Sequence, residues 1–66
     1  MKNMIKVERA RHDMTQADLA EKIQVSRQTI HAIEKGKFVP STILALKMAR
    51  FFDIRVEELF ILEEGD

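Results

Sequence analysis

Cysteine is absent, so neither disulfides nor thiolate metal sites can hold this 66-residue chain together. Histidine occurs only at His12 and His31, too few for a metal site without carboxylates or a second chain, and no metal or cofactor is expected. Proline occurs once, at Pro40, and glycine twice, at Gly36 and Gly65. That leaves no glycine-rich phosphate loop, no linker and no low-complexity stretch. No apolar run approaches the ~18 residues of a membrane span, and no secretory leader pattern is present, so a cytoplasmic location is expected. Catalytic constellations are missing too. Ser26 and His31 stand five residues apart on one helix, and helix capping accounts for Ser26, so no enzyme is expected.

Net charge is also absent, because 11 Lys and Arg balance 11 Asp and Glu. The distribution is uneven, however. Residues 1–52 hold ten Lys or Arg against five Asp or Glu, whereas residues 53–66 hold Arg55 alone against six acidic residues. The chain is a basic body with an acidic tail. A composition of 45% hydrophobic and 33% charged residues is that of a globular protein. Residues 1–66 read as one small domain with a marginal core, for which oligomerisation is a common supplement.

The apolar periodicity is helical throughout, and five helices are predicted. The first runs from about Met4 to His12, with Asn3 as N-cap and Ile5, Val7 and Ala10 facing inward. The second starts at Thr15, with Asp18 as its capping-box partner, and buries Leu19, Ala20 and Ile23. The third starts at Ser26 and ends near Lys35, with Gly36 as the residue beyond it. Ser41 caps the fourth, which runs to about Phe52 and buries Leu44, Ala45, Met48, Ala49 and Phe52. A short fifth helix ends at Leu59 and Phe60. Residues 61–64 are open to helical, extended or frayed conformations.

Only Gln24 and Val25 separate Ile23 from the cap at Ser26. So short a connection fixes two helices at a tight angle, with small Ala20 at their closest approach and Val25 beneath the turn. Residues 15–35 therefore have the shape of a helix-turn-helix. On a wheel at about 100° per residue, Arg27, His31 and Lys35 fall at about 0°, 40° and 80°, and Gln28 and Ala32 extend that sector to about 140°. Thr29, Ile30 and Ile33 take the opposite side. One face of the third helix is polar and has no evident partner within the chain.

These residues carry a resemblance. TQADLAEKIQVSRQTIHAIEKGK, followed by Pro-Ser and ALKMARFF, resembles the phage-repressor and Cro-like (Xre-like) helix-turn-helix family, in particular its minimal members. The matching elements extend from about Ile5 to Phe60. The resemblance implies an all-α, five-helix, lambda-repressor-like DNA-binding domain whose third helix is the recognition helix. Three positions depart from the family, which often has glycine where Asp13, Gln24 and Asp53 stand. If those positions need φ > 0, Asp tolerates it and Gln carries strain on the order of 1 kcal/mol. Glu8 also stands where many relatives have an apolar residue, so the first helix is expected to pack thinly.

The expected function is that of a sequence-specific double-stranded DNA-binding regulator, a dimeric repressor reading the major groove of a palindromic operator. Arg27 and Gln28 suit guanine and adenine edges, and His31 and Ala32 complete the expected base contacts. Gln16, Lys22, Ser26, Thr29, Lys35, Lys37 and Phe38 are expected to position the DNA backbone. The resemblance further implies a largely buried ion pair between Arg9 and Glu34. Residues 54–66 carry more apolar surface than a short helix hides, so Val56, Leu59, Phe60, Ile61 and Leu62 are expected to form a homodimer interface. The alternative is an antitoxin-type or other protein-interaction module of the same fold, with autoregulatory DNA binding as a secondary activity.

Overall fold

The computed structural model describes all residues from Met1 to Asp66. In chain order the elements are β1 (Lys2–Asn3), α1 (Ile5–Arg11), α2 (Gln16–Ile23), α3 (Arg27–Glu34), α4 (Thr42–Phe52), α5 (Val56–Leu59) and β2 (Phe60–Ile61). The helices start where local hydrogen bonds can satisfy their free N–H groups. The Thr15 hydroxyl accepts from the Asp18 N–H and the Asp18 carboxylate accepts from the Thr15 N–H, both at 3.0 Å. The Thr15 backbone and then its hydroxyl hold the exposed Asp18 carboxyl below its ordinary 3.8. That cap therefore contributes above this value and is lost as pH falls through the lowered one. Ser26 Oγ accepts from the Thr29 N–H, and Ser41 Oγ from the Leu44 N–H, each at 3.1 Å.

The helices also stop alike. Asp13, Gln24, Gly36 and Asp53 all have positive φ, at 54°, 61°, 75° and 57°. In each case the next residue's N–H reaches back five positions, from Met14 to Arg9, Val25 to Ala20, Lys37 to Ala32 and Ile54 to Ala49. This is the left-handed closure that satisfies the last carbonyls of a helix. Three of the four closures use a residue other than glycine, and Gln24 lacks the short carboxyl that eases Asp into this region. The tight α2–α3 turn is thus built on a strained glutamine.

Eleven buried apolar residues form the core, contributed by every helix and by β2: Ile5, Leu19, Ala20, Ile23, Ile30, Ile33, Met48, Ala49, Phe52, Leu59 and Phe60. Val25 packs against it from the turn, as do Leu44 and Ala45, which are only half-buried. α1 differs from expectation. Val7 and Ala10 are exposed, and Glu8 is buried with Ile5. The Glu8 carboxylate accepts from Arg11 Nη1 at 2.9 Å, so the buried charge is paired at the helix edge. His12 Nδ1–H donates to the Glu8 carbonyl, and its ring packs 5.1 Å from the ring of Phe52, tying α1 to α4.

The termini provide the other correction. Asn3 is not at the N-cap position, which Met4 takes, because pairing with Phe60 holds it in β1; its Oδ1 nonetheless accepts from the Ile5 N–H at 3.3 Å, at the start of α1. Its Nδ2 donates to the Ile33 carbonyl at 3.0 Å, joining the amino terminus to the end of α3. Lys2 pairs with Ile61 in the same antiparallel ladder, and the Met4 N–H donates to the Leu59 carbonyl at 2.9 Å. Residues 60–61 are therefore extended. The Met1 ammonium lies 3.0 Å from Asp66, whose carboxylate raises the ammonium pKa above 8.0.

Replacing the strained turn residue, Gln24→Gly, is expected to stabilise the chain by about 1 kcal/mol, because glycine adopts φ near 60° without a Cβ penalty. Urea denaturation monitored by far-ultraviolet circular dichroism checks this. An unchanged or lower midpoint would mean that the glutamine side chain contributes a contact outweighing the strain.

Candidate nucleic-acid interface

The polar face of α3 is set by what lies beneath it. Ile30 and Ile33 are 0% and 2% exposed, so the opposite sector must face outward. Arg27, Gln28, His31 and Lys35 are exposed, while Ala32, Thr29 and Glu34 sit at the edges of the sector, half-buried. The rotation of α3 is then locked from α1. Arg9 Nε donates to Glu34 Oε2 at 2.7 Å and Arg9 Nη2 to Glu34 Oε1 at 3.1 Å, a two-pronged pairing. Arg9 Nη1 donates to the Met14 carbonyl at 2.9 Å. These side chains are 14% and 9% exposed, so the pair is largely out of water.

Gln16 brings α2 into the same network. Its Nε2 donates to Glu34 Oε1 at 3.3 Å and lies 3.5 Å from His31 Nδ1. α1, α2 and α3 thus meet at one buried carboxylate. Above it opens a depression lined by no hydrophobic residue, in which Lys6, Arg27 and Lys35 surround Gln16 and His31. None of these three cations belongs to an ion pair. The arrangement can accept an extended anion along its rim while donors and acceptors on α3 reach outward.

The other expected residues divide. Ser26 begins α3, and its hydroxyl shares a 2.9 Å hydrogen bond with Thr29 Oγ1, which leaves one hydroxyl proton of the pair for an outside acceptor. Lys37 and Phe38 are exposed in the loop following α3. Lys22 is not brought to this depression. It lines a separate groove with Gln24, Lys47 and Arg50, between the end of α2 and α4. Conversely, Lys6 was not among the expected residues. It stands three positions before Arg9 on α1, and that spacing places both on one helix face.

The expected dimer residues divide as well. Leu59 is 0% exposed and Phe60 9%, both within the chain's own core, so they have little or no surface left for a partner. The reason is the β1–β2 pairing, which pulls residue 60 back onto the body. Val56 is half-buried, while Ile61 and Leu62 are exposed. No helix is long and apolar enough to cross a membrane.

Arg9→Ala is expected to destabilise the chain by ~3 kcal/mol or more, because the Glu34 carboxylate is then left buried and short of partners. Denaturation midpoints at neutral pH check this. A loss below ~1 kcal/mol would place the pair among solvent-screened surface bridges.

A family model described as helix-turn-helix matches residues 5–59, most of the chain. Three similar proteins bear the description of uncharacterised HTH-type transcriptional regulators. One from Methanocaldococcus jannaschii is 56% identical over 66 residues, covering 100% of both chains. YgzD from Bacillus subtilis is 50% identical over 64 residues, 97% of each chain. One from Archaeoglobus fulgidus is 48% identical over 66 residues, covering 100% of this chain and 94% of the relative. With this match over the two-helix unit and the α1 brace alike, the chain belongs to the phage-repressor and Cro-like (Xre-like) helix-turn-helix family.

Proposed function

We propose that this chain, a DNA-binding transcriptional regulator of the helix-turn-helix family, represses transcription as a symmetric dimer that reads a palindromic double-stranded operator with α3. The observation that supports this most directly is the outward polar face of α3, set over a cation-lined depression that no hydrophobic residue lines. Arg27 offers two donors to guanine O6 and N7, and Gln28 a donor and an acceptor to adenine N6 and N7. Both stand in the first turn of α3, the end that enters the groove in this motif. His31 and Ala32 follow one turn later, toward a base edge and a thymine methyl group. Gln16, Ser26, Thr29, Lys35, Lys37 and the Phe38 backbone hold phosphates, and Lys6 joins them from α1. Two α3 helices about 34 Å apart would meet successive major grooves on one side of the duplex. The cytoplasm, where such DNA lies in bacteria and archaea, is the proposed location.

A second reading, a protein-interaction module with DNA binding as a secondary activity, is favoured by the apolar surface that α4 leaves exposed at Ile43 and Leu46. Light scattering on the purified chain separates the two. A dimer of this chain alone favours the repressor, and a stable complex with a different protein favours the module.

Two substitutions test the DNA contacts, once a preferred duplex has been selected from random sequences. Gln28→Ala is expected to lose ~1–3 kcal/mol on that duplex and to relax preference at one base pair of each half-site. Unchanged preference removes Gln28 from the reading residues. Lys37→Ala is expected to weaken all duplexes alike and to flatten the plot of log affinity against log salt by about one charge per site. A loss confined to one sequence contradicts its phosphate role.

A further inference from the structure

The Glu34 network ends on the outward face of α3, at the imidazole of His31. A carboxylate only accepts hydrogen bonds, so the Gln16 group that faces Glu34 Oε1 at 3.3 Å is its NH2 and not its carbonyl. The same nitrogen lies 3.5 Å from His31 Nδ1, within reach of its second proton. A donor placed there needs a lone pair on Nδ1, so the proton of the neutral ring sits on Nε2. His12 is the converse case, because its Nδ1 lies 2.9 Å from the Glu8 carbonyl, which only accepts. The two histidines thus carry their protons on opposite nitrogens. Both amide protons of Gln16 are used within the chain, which leaves its backbone N–H, at the start of α2, for a phosphate.

We propose that this network makes His31 a one-donor reader of purines, presenting Nε2–H and no acceptor to the N7 atom of an adenine or guanine in the major groove. The inference rests on the reading of α3 as the recognition helix of a dimer. His31 is exposed, and at about 40° on the helical wheel it falls between Arg27 at about 0° and Gln28 at about 100°. It therefore faces the bases that those two residues face, whereas a residue holding only phosphate belongs at the edge of the sector. N7 is an acceptor in both purines, and one donor cannot tell them apart. Cytosine offers a donor, its N4–H2, which an N–H cannot satisfy, and thymine sets a methyl group beside its O4. Each half-site is thus expected to contain one position that demands a purine and is indifferent to which. With the other tautomer, Nε2 would show a bare lone pair and select the amino group of adenine or cytosine instead. Gln16 is a positioning residue in this scheme, because it sets what His31 can recognise without touching the base.

Half of the test needs no DNA. Nitrogen magnetic resonance separates the ring nitrogen that carries the proton from the one that carries the lone pair. It is applied to the full chain at about pH 8.5, above the range in which histidine ordinarily takes a second proton. With only two histidines in the chain, His12 is the internal reference. His31 is expected with its proton on Nε2, and His12 with its proton on Nδ1. Gln16→Ala should move the two His31 signals toward each other, as the tautomers mix, and leave those of His12 in place. The other half uses the duplex that the chain selects from random sequences. Exchanging each purine in turn for its 7-deaza analogue removes N7 alone. At one position per half-site the exchange should weaken binding of the unaltered chain roughly 5-fold, the size of a single neutral hydrogen bond, and should not affect His31→Ala. A His31 proton on Nδ1 overturns the proposal, as does a Gln16→Ala spectrum identical to that of the unaltered chain. So does the lack of any purine whose exchange is felt by the unaltered chain and not by His31→Ala, which would assign His31 to the phosphates. If Gln16→Ala fails to fold, the tautomer of the unaltered chain and the exchange series decide. The functional reading fails distinguishably: a chain that selects no duplex sinks both, whereas a chain that selects one without such a purine sinks this inference alone.

Discussion

The Glu34 carboxylate is the point through which α1, α2 and α3 are held in register. It takes two hydrogen bonds from Arg9 on α1 and one from Gln16 at the start of α2, while its own helix is α3. A charge so far out of water is tolerated only with such a full set of donors. That requirement makes the network directional. α3 cannot rotate without unpairing Glu34, and α1 cannot shift without leaving Arg9 between Glu34 and the Met14 carbonyl. The outward sector of α3 is therefore presented at one angle, which suits sequence reading better than a freely rolling helix would.

Economy of length runs through the rest of the molecule. A chain of 66 residues buries only twelve, so much of its stability must come from ends and turns. Four helices close on a left-handed residue, three begin on a hydroxyl side chain, and the two termini meet in a two-stranded ladder. The ladder seats Phe60 and Leu59 in the core and gives Asn3 the position from which it reaches the carbonyl of Ile33. Because core material is short, apolar residues on the outside of α4 are conspicuous. They add nothing to the chain's own core.

The helices and the two-helix unit were legible because their signals are local. Thr15, Ser26 and Ser41 act on N–H groups three residues on, and Gly36 closes the turn it follows. The positive φ at Asp13, Gln24 and Asp53 was legible only through the family's glycines, since nothing in the local sequence marks a glutamine for that region. The polar sector of α3 could be read from 3.6-residue periodicity. Which cations share its groove could not. Lys6 belongs to the rim and Lys22 does not, and that depends on how α1 and α4 pack against the two-helix unit.

By itself, then, the sequence determined the number of helices, the starts of α2, α3 and α4, the tightness of the α2–α3 turn and the separation of α3 into a buried and a polar side. Each is governed by interactions within about five residues, whose outcome the residue types dictate. Only the tertiary structure decided that Glu8 lies inside while Val7 and Ala10 do not, that Asn3 is a strand residue reaching the end of α3, that Leu59 and Phe60 are spent on the core, and that α4 carries the free apolar face. These outcomes turn on contacts between residues far apart in the chain, such as Asn3 with Phe60, and such contacts leave no periodic trace in the sequence.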